Sequence, residues 1–149
     1  MRERFVAALK EATLKQEKLR MATLRLINAA IKDRDIAART AGRDPVGNDE
    51  ILEILGKMIK QRLESTRIYE EASRLELAEQ ERQEMEIIME FLPQQLDDDE
   101  MRTVCAEAIE STGSHGLRDI GKCMAALKAR YAGRMDFGKA SRLVKERLQ

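Results

Sequence analysis

From about Arg2 to Arg39 the chain contains neither proline nor glycine. Apolar residues recur there near every third or fourth position: Phe5, Leu9, Ala12, Leu19, Leu26 and Ala30. That spacing is the signature of an amphipathic helix. Leu24, Ile27 and Ile31 widen the stripe, so neighbours must cover the helix on more than one side. At 1.5 Å of rise per residue, one unbroken helix here would reach about 50 Å. A rod of that length dictates a helical architecture around it.

The next stretch, "TAGRDPVGN", places two glycines and a proline in a short span and reads as a loop. Asn48 or Asp49 is positioned to cap a second helix, with Asp49 and Glu50 near its positive end. Ile51, Leu55, Ile59, Leu63 and Tyr69 carry that helix to about Ser73. "SRLEL" marks a bend, and a third helix runs to Phe91 and Leu92, where Pro93 forces its predecessor out of helical geometry. Beyond "PQQL", Asp97 and Glu100 have capping-box spacing. Met101, Val104, Cys105, Ala108 and Ile109 face one way up to the breaker "STGSHG". Asp119 and Asp136 are candidate caps for two further helices, one carrying Ile120, Cys123, Met124, Leu127 and Tyr131, the other Ala140, Leu143, Val144 and Leu148. The expected fold is all-α: a long helical hairpin plus a third helix over residues 1–93, then a small three-helix bundle over 94–149.

Composition narrows the function classes. The formal net charge is zero, so no overall field draws the protein toward nucleic acid or membrane. Two cysteines are too few for a disulfide scaffold and suit a reducing compartment. No secretory leader is recognisable and no apolar run approaches the ~18 residues of a membrane span. These features together predict a soluble cytoplasmic protein with no membrane partner.

Zero net charge hides segregation. Residues 1–39 hold ten Lys/Arg against five Asp/Glu, residues 40–114 eight against nineteen, and residues 115–149 nine against three. Lys18, Arg25, Lys32 and Arg39 recur by sevens and form a ridge, because seven residues return to nearly the same helical angle. That ridge is read first as a solvated face. The C-terminal cluster, Arg118, Lys122, Lys128, Arg130, Arg134, Lys139, Arg142 and Lys145 with Arg147 beside them, is the candidate nucleic-acid contact. Aromatics are 3% of the chain, which argues against base stacking and for contact with backbone and folded shape.

Chemistry is scarce by comparison. "GRMDFGK" has the glycines and lysine of a phosphate-cradling loop, but Ala140 follows Lys139 where a hydroxyl is needed, and a helical segment precedes it where a strand is required. Gly133 serves better as a helix C-cap. His115 is the sole histidine and lies in a turn. Cys105 and Cys123 sit on apolar stripes, where free cysteine behaves as a small core residue. Ser111, Ser114 and Ser141 have no positioned base. No catalytic residue, metal site, cofactor or small-molecule substrate is expected.

Three stretches, "LRLINAAIKDRDI", "EASRLELAEQERQEMEIIMEFLPQQL" and "GKCMAALKARYAGRMDFGKASRLVKERL", resemble the GatB/YqeY family in its stand-alone YqeY-like form. The "EFLPQQL" junction and the "GK-x-M … GR-x-D … GK-x-S-x-x-VK" pattern are the most specific parts. Ala125 and Ser73-Arg74-Leu75 depart from relatives that carry glycine nearby. The resemblance implies a helical N-terminal domain and a three-helix C-terminal domain akin to the tail of the tRNA-dependent amidotransferase B subunit. That enzyme is a carbon–nitrogen ligase with glutamine as amido donor. Its tail touches tRNA while its chemistry lies in a separate domain. The resemblance therefore implies a non-catalytic module that binds tRNA or a tRNA-handling complex. The alternative is a protein-interaction adaptor that does not touch RNA.

Overall fold

The proline- and glycine-free N-terminal stretch does not form one helix. In the computed structural model, which describes all residues from Met1 to Gln149, it divides into α1 (Arg2–Leu14) and α2 (Lys18–Thr40). The break centres on Gln16, whose φ of 57° is left-handed. There the Gln16 N–H donates to Thr13 O at 3.2 Å and the Glu17 N–H to Ala12 O at 3.0 Å. These two bonds satisfy helix-end carbonyls in the Schellman pattern, which glycine usually closes. The expected long hairpin is thus replaced by an antiparallel α1–α2 pair. The break also resets the helical phase. The buried face of α2 is Thr23, Leu24, Ile27, Ile31 and Ala38, while Leu26, expected on the inner stripe, is 48% exposed.

α3 (Asn48–Glu71) and α4 (Leu75–Met89) follow, then α5 (Asp98–Thr112), a short 3-10 turn at Leu117–Asp119, α6 (Ile120–Tyr131) and α7 (Phe137–Leu148). All are helices, and the fold is all-α. Contacts divide the chain into two compact units, Met1–Leu92 and Pro93–Gln149.

In the first unit, Phe5 and Ala12 of α1 meet the buried face of α2, Ile51, Ile54, Leu55 and Met58 of α3, and Ile88 and Phe91 at the end of α4. The Phe5 and Phe91 rings lie 4.8 Å apart and tilted by 49°, a favourable aromatic geometry. Val46, from the α2–α3 loop, closes this core. Gly47 rather than Asn48 or Asp49 occupies the α3 N-cap, and Asp49 and Glu50 fall in the first turn. Past Ile59, α3 and α4 leave the core as an antiparallel pair. Leu63, expected inside, is 57% exposed there because no third helix covers it. The turn between the two helices repeats the Gln16 device: Ser73 has φ 59°, with its N–H on Glu70 O and that of Arg74 on Tyr69 O.

The second unit packs α5, α6 and α7 around Met101, Cys105, Ala108, Cys123, Met124, Leu127, Met135, Ala140 and Val144. Asp97 and Glu100 form the full capping box on α5. Gly113, φ 64°, ends that helix. Asp136 caps α7 by accepting from Gly138 N–H at 2.8 Å.

Candidate nucleic-acid interface

The C-terminal basic residues occupy α6, α7 and their flanking turns, and all are exposed or half-exposed. They do different things. Lys139 reaches Asp98 at the start of α5, and this bond holds the Asp98 carboxyl below its usual range. Arg134 donates through Nε to Gln94 O at 3.0 Å, while its own carbonyl accepts from Leu96 N–H at 2.8 Å. Those bonds fasten the 94–96 segment onto the α6–α7 turn. The guanidinium of Arg134 and that of Arg130 each lie 5.8 Å from the Tyr131 ring centre, within cation–π range. The spacing of Tyr131 predicts packing alone; its ring also carries two of the candidate cations.

The remaining five, Arg118, Lys122, Lys128, Arg142 and Lys145, form no ion pair with any carboxylate. Helix geometry distributes them. Arg130 lines the narrow cleft where α6 meets α5, beside Glu107 and Ser111. Lys128 lies two residues back, about 160° around the helix from Arg130, and so projects on the other flank of α6. Arg142 and Lys145 are about 60° apart and share the outward side of α7. The eight candidates therefore do not form one continuous face: Lys128, Arg142 and Lys145 point away from α5, while Arg130, Arg134 and Lys139 are committed to neighbours within the unit.

Acid is concentrated at the start of α5, next to Lys139. Asp97, Asp98, Asp99 and Glu100 crowd the N-terminus of α5, where the helix dipole stabilises them. The second unit is thus polarised, acidic at the start of α5 and basic along α6 and α7.

Other chemistry sits as follows. Cys105 and Cys123 are fully buried free thiols. Burial pushes both above the usual thiol range, and the proximity of Cys123 adds to the effect on Cys105. Such thiols are poor nucleophiles. The His115 N–H donates to Asp119 Oδ2 at 3.0 Å. Asp119 stands at the α6 N-cap position, but its carboxylate turns back to His115 and makes no cap bond to α6. "GRMDFGK" joins the end of α6 to α7, with Gly133 left-handed at φ 73°. It is a helix connector. No group of three His, Cys, Asp or Glu side chains converges on a possible metal position. The α5–α6 cleft measures about 20 Å³, far below the several hundred Å³ of small-molecule pockets. No helix is long and apolar enough to cross a membrane.

An all-helical chain of two units, the second carrying its cations on a helical pair, is the class of protein this geometry defines. A family model described as Yqey-like protein matches residues 2–148. The chain belongs to the YqeY-like family. It is also 35% identical over 114 residues to "Altered inheritance of mitochondria protein 41, mitochondrial" of Clavispora lusitaniae. The matched region is 75% of this chain and 59% of that relative, so this chain spans less than two thirds of the relative's length.

Proposed function

We propose that this protein is a non-catalytic binding module that docks on folded tRNA, or on a complex that handles tRNA, through the α6–α7 side of its second unit. One observation carries the reading: Lys128, Arg142 and Lys145 are exposed and lack the carboxylate partners that occupy Lys139 and many cations of the first unit, while Arg118 and Lys122, also exposed, have only the nearby charge of Asp119 and no ion pair. Exposed cations without internal partners are available to polyanions, and their release of counterions drives binding. The resemblance of the C-terminal motifs to the amidotransferase tail supports tRNA as the polyanion. In this reading amide transfer belongs to a partner, and the chain supplies grip rather than chemistry. The two buried free thiols suit a reducing compartment, and the cytoplasm is the proposed site of action.

The test is fluorescence anisotropy of labelled tRNA beside an unstructured RNA of equal length, across a salt series. Engagement of four or five phosphates gives a slope of log K against log salt of roughly −3 to −5. Arg142→Glu with Lys145→Glu is expected to flatten that slope and weaken binding. Equal affinity for both RNAs, or an unchanged slope in the double variant, would defeat the reading.

A further inference from the structure

The outward side of α2 carries a second unpartnered feature, on the first unit. Lys18, Arg25, Lys32 and Arg39 are all exposed, and none pairs with a carboxylate. The other two arginines of this helix behave differently: Arg20 pairs with Glu90 and Arg34 with Glu50. The row spans about 31 Å. Two more columns with the same period lie beside it. One is Leu19, Leu26, Asp33 and Thr40; the other is Ala22, Ala29 and Ile36. Leu26 is 48% exposed and Ile36 55%, and Ala22, Ala29, Asp33 and Thr40 are exposed with them. The columns occupy the positions that form a coiled-coil seam, with the cations on its flank.

We infer that this face of α2 is a docking site for an amphipathic helix of a protein partner, one bearing an acidic row opposite Lys18, Arg25, Lys32 and Arg39. Charge complementarity selects the occupant. Flanking cations at seven-residue intervals match carboxylates at the same interval on a supercoiling helix, whose drift of about 20° per heptad equals that of the row. Ala22 and Ala29 leave room for another backbone to approach. A phosphate backbone would use the cations but gain nothing from Leu26 and Ile36. A bilayer needs a broader apolar face than these two large side chains provide. A second copy docking antiparallel through the same face would set cation row against cation row. At its N-terminal end the seam runs into an open groove of about 820 Å³, where Lys18 and Leu19 face Leu75, Glu76 and Glu79 of α4, so the acidic row of the partner pairs chiefly with Arg25, Lys32 and Arg39. That groove can take an apolar residue at the end of the partner helix. This inference goes beyond the tRNA reading and concerns the other unit.

The probe is a labelled synthetic helix of about 28 residues with Leu at the seam positions and Glu on both flanks. It is titrated with the full chain beside a twin carrying Lys for every Glu. The acidic peptide is expected to bind, weaken with salt, and lose about tenfold or more in affinity against Arg25→Glu with Lys32→Glu. The neutral pair Arg25→Gln with Lys32→Gln is expected to fall between. Circular dichroism must show unchanged helicity in both variants, and the Gln pair supplies the comparison if the Glu pair unfolds. Equal binding of the two peptides would overturn the inference, as would an acidic-peptide affinity unmoved by either variant. Loss of tRNA or phosphatidylserine-vesicle binding in these variants, with peptide binding intact, would assign the row to phosphate and overturn it. Self-association abolished by the same substitutions would make the occupant a second copy, with the same consequence.

Discussion

Arg2 and Asp35 meet through two parallel hydrogen bonds, Nη1 to Oδ2 at 2.9 Å and Nη2 to Oδ1 at 2.8 Å. The same carboxylate accepts the Val46 N–H at 2.9 Å, and Arg2 Nη2 also donates to Val46 O at 2.9 Å. One ion pair thus fastens the start of α1, the body of α2 and the loop residue that closes the core. Bidentate pairing fixes geometry as well as charge. Asp35→Ala is expected to lower the melting temperature clearly more than Asp33→Ala, an exposed aspartate on the same helix. The Arg2 guanidinium, then the Val46 N–H, hold the Asp35 carboxyl below its ordinary value. A depressed folded-state pKa gives stability that is complete above the unfolded value, about 3.9, and is lost as pH falls through the folded one. Asp35→Asn removes that contribution, so its acid-unfolding profile is expected to be flatter below about pH 4 than that of the parent. Equal steepness would show that the pair does not couple to folding.

Gln16 and Ser73 end helices with φ of 57° and 59°, a region costing a residue with a side chain roughly 1–2 kcal/mol. Glycine enters it freely but gives back part of the gain through unfolded-chain entropy. Gln16→Gly and Ser73→Gly are each expected to stabilise the first unit by about 0.5–1 kcal/mol, a rise of several degrees in melting temperature. Gly113, at φ 64°, is the control of opposite sign: Gly113→Ala is expected to destabilise the second unit by about 1 kcal/mol. Differential scanning calorimetry reads all three.

These two turns also mark the boundary of what the residues announce. The Asp97–Glu100 box, the Asp136 cap and the glycine stops at Gly113 and Gly133 have local chemical causes, and their spacing declares them. Gln16 has no such signal. Its turn is stabilised by burying Phe5 and Ala12 against Leu24 and Ile27, contacts that no short window contains. Missing it shifts the phase of α2 and places Leu26 in the core when it faces solvent. The basic cluster shows the same division. Its composition is plain in the chain, but the Asp98 that engages Lys139 and the Gln94 carbonyl that engages Arg134 lie about forty residues away in sequence. Counting charges finds the cations, and only the fold tells which are free.

Capping gives a third prediction, for the second unit. The Asp97 carboxylate accepts the Glu100 N–H at 2.7 Å while the Glu100 side chain returns to the Asp97 N–H at 3.3 Å. Asp97→Ala is expected to cost about 1 kcal/mol, and Asp97→Asn much less, because the amide oxygen still accepts the bond. Asp97→Ala with Glu100→Ala is expected to fall short of the sum of its single changes, since each bond helps to orient the other. Urea unfolding followed by circular dichroism measures each step.

The sharpest energetic test lies where α3 and α4 leave the first core. Arg62 Nε donates to Glu84 Oε2 at 3.0 Å, and both side chains are only 12% exposed. Arg62 also reaches Met58 O at 3.2 Å, and Gln80 approaches Glu84 Oε1 at 3.5 Å. Breaking such a pair leaves the surviving charge in a poorly solvated place, so Arg62→Met alone is expected to destabilise by about 3 kcal/mol. Arg62→Met with Glu84→Leu removes both charges and is expected to return near the parent or exceed it. One helix turn away, Thr66 buries a hydroxyl that has no hydrogen-bond partner. Thr66→Val keeps the shape and removes that desolvation cost, for an expected gain of about 1 kcal/mol. If Arg62→Met proves mild, the pair is wetter in solution than its burial indicates. If the double replacement fails to recover stability, the pair holds α3 and α4 in register by geometry that apolar side chains do not reproduce.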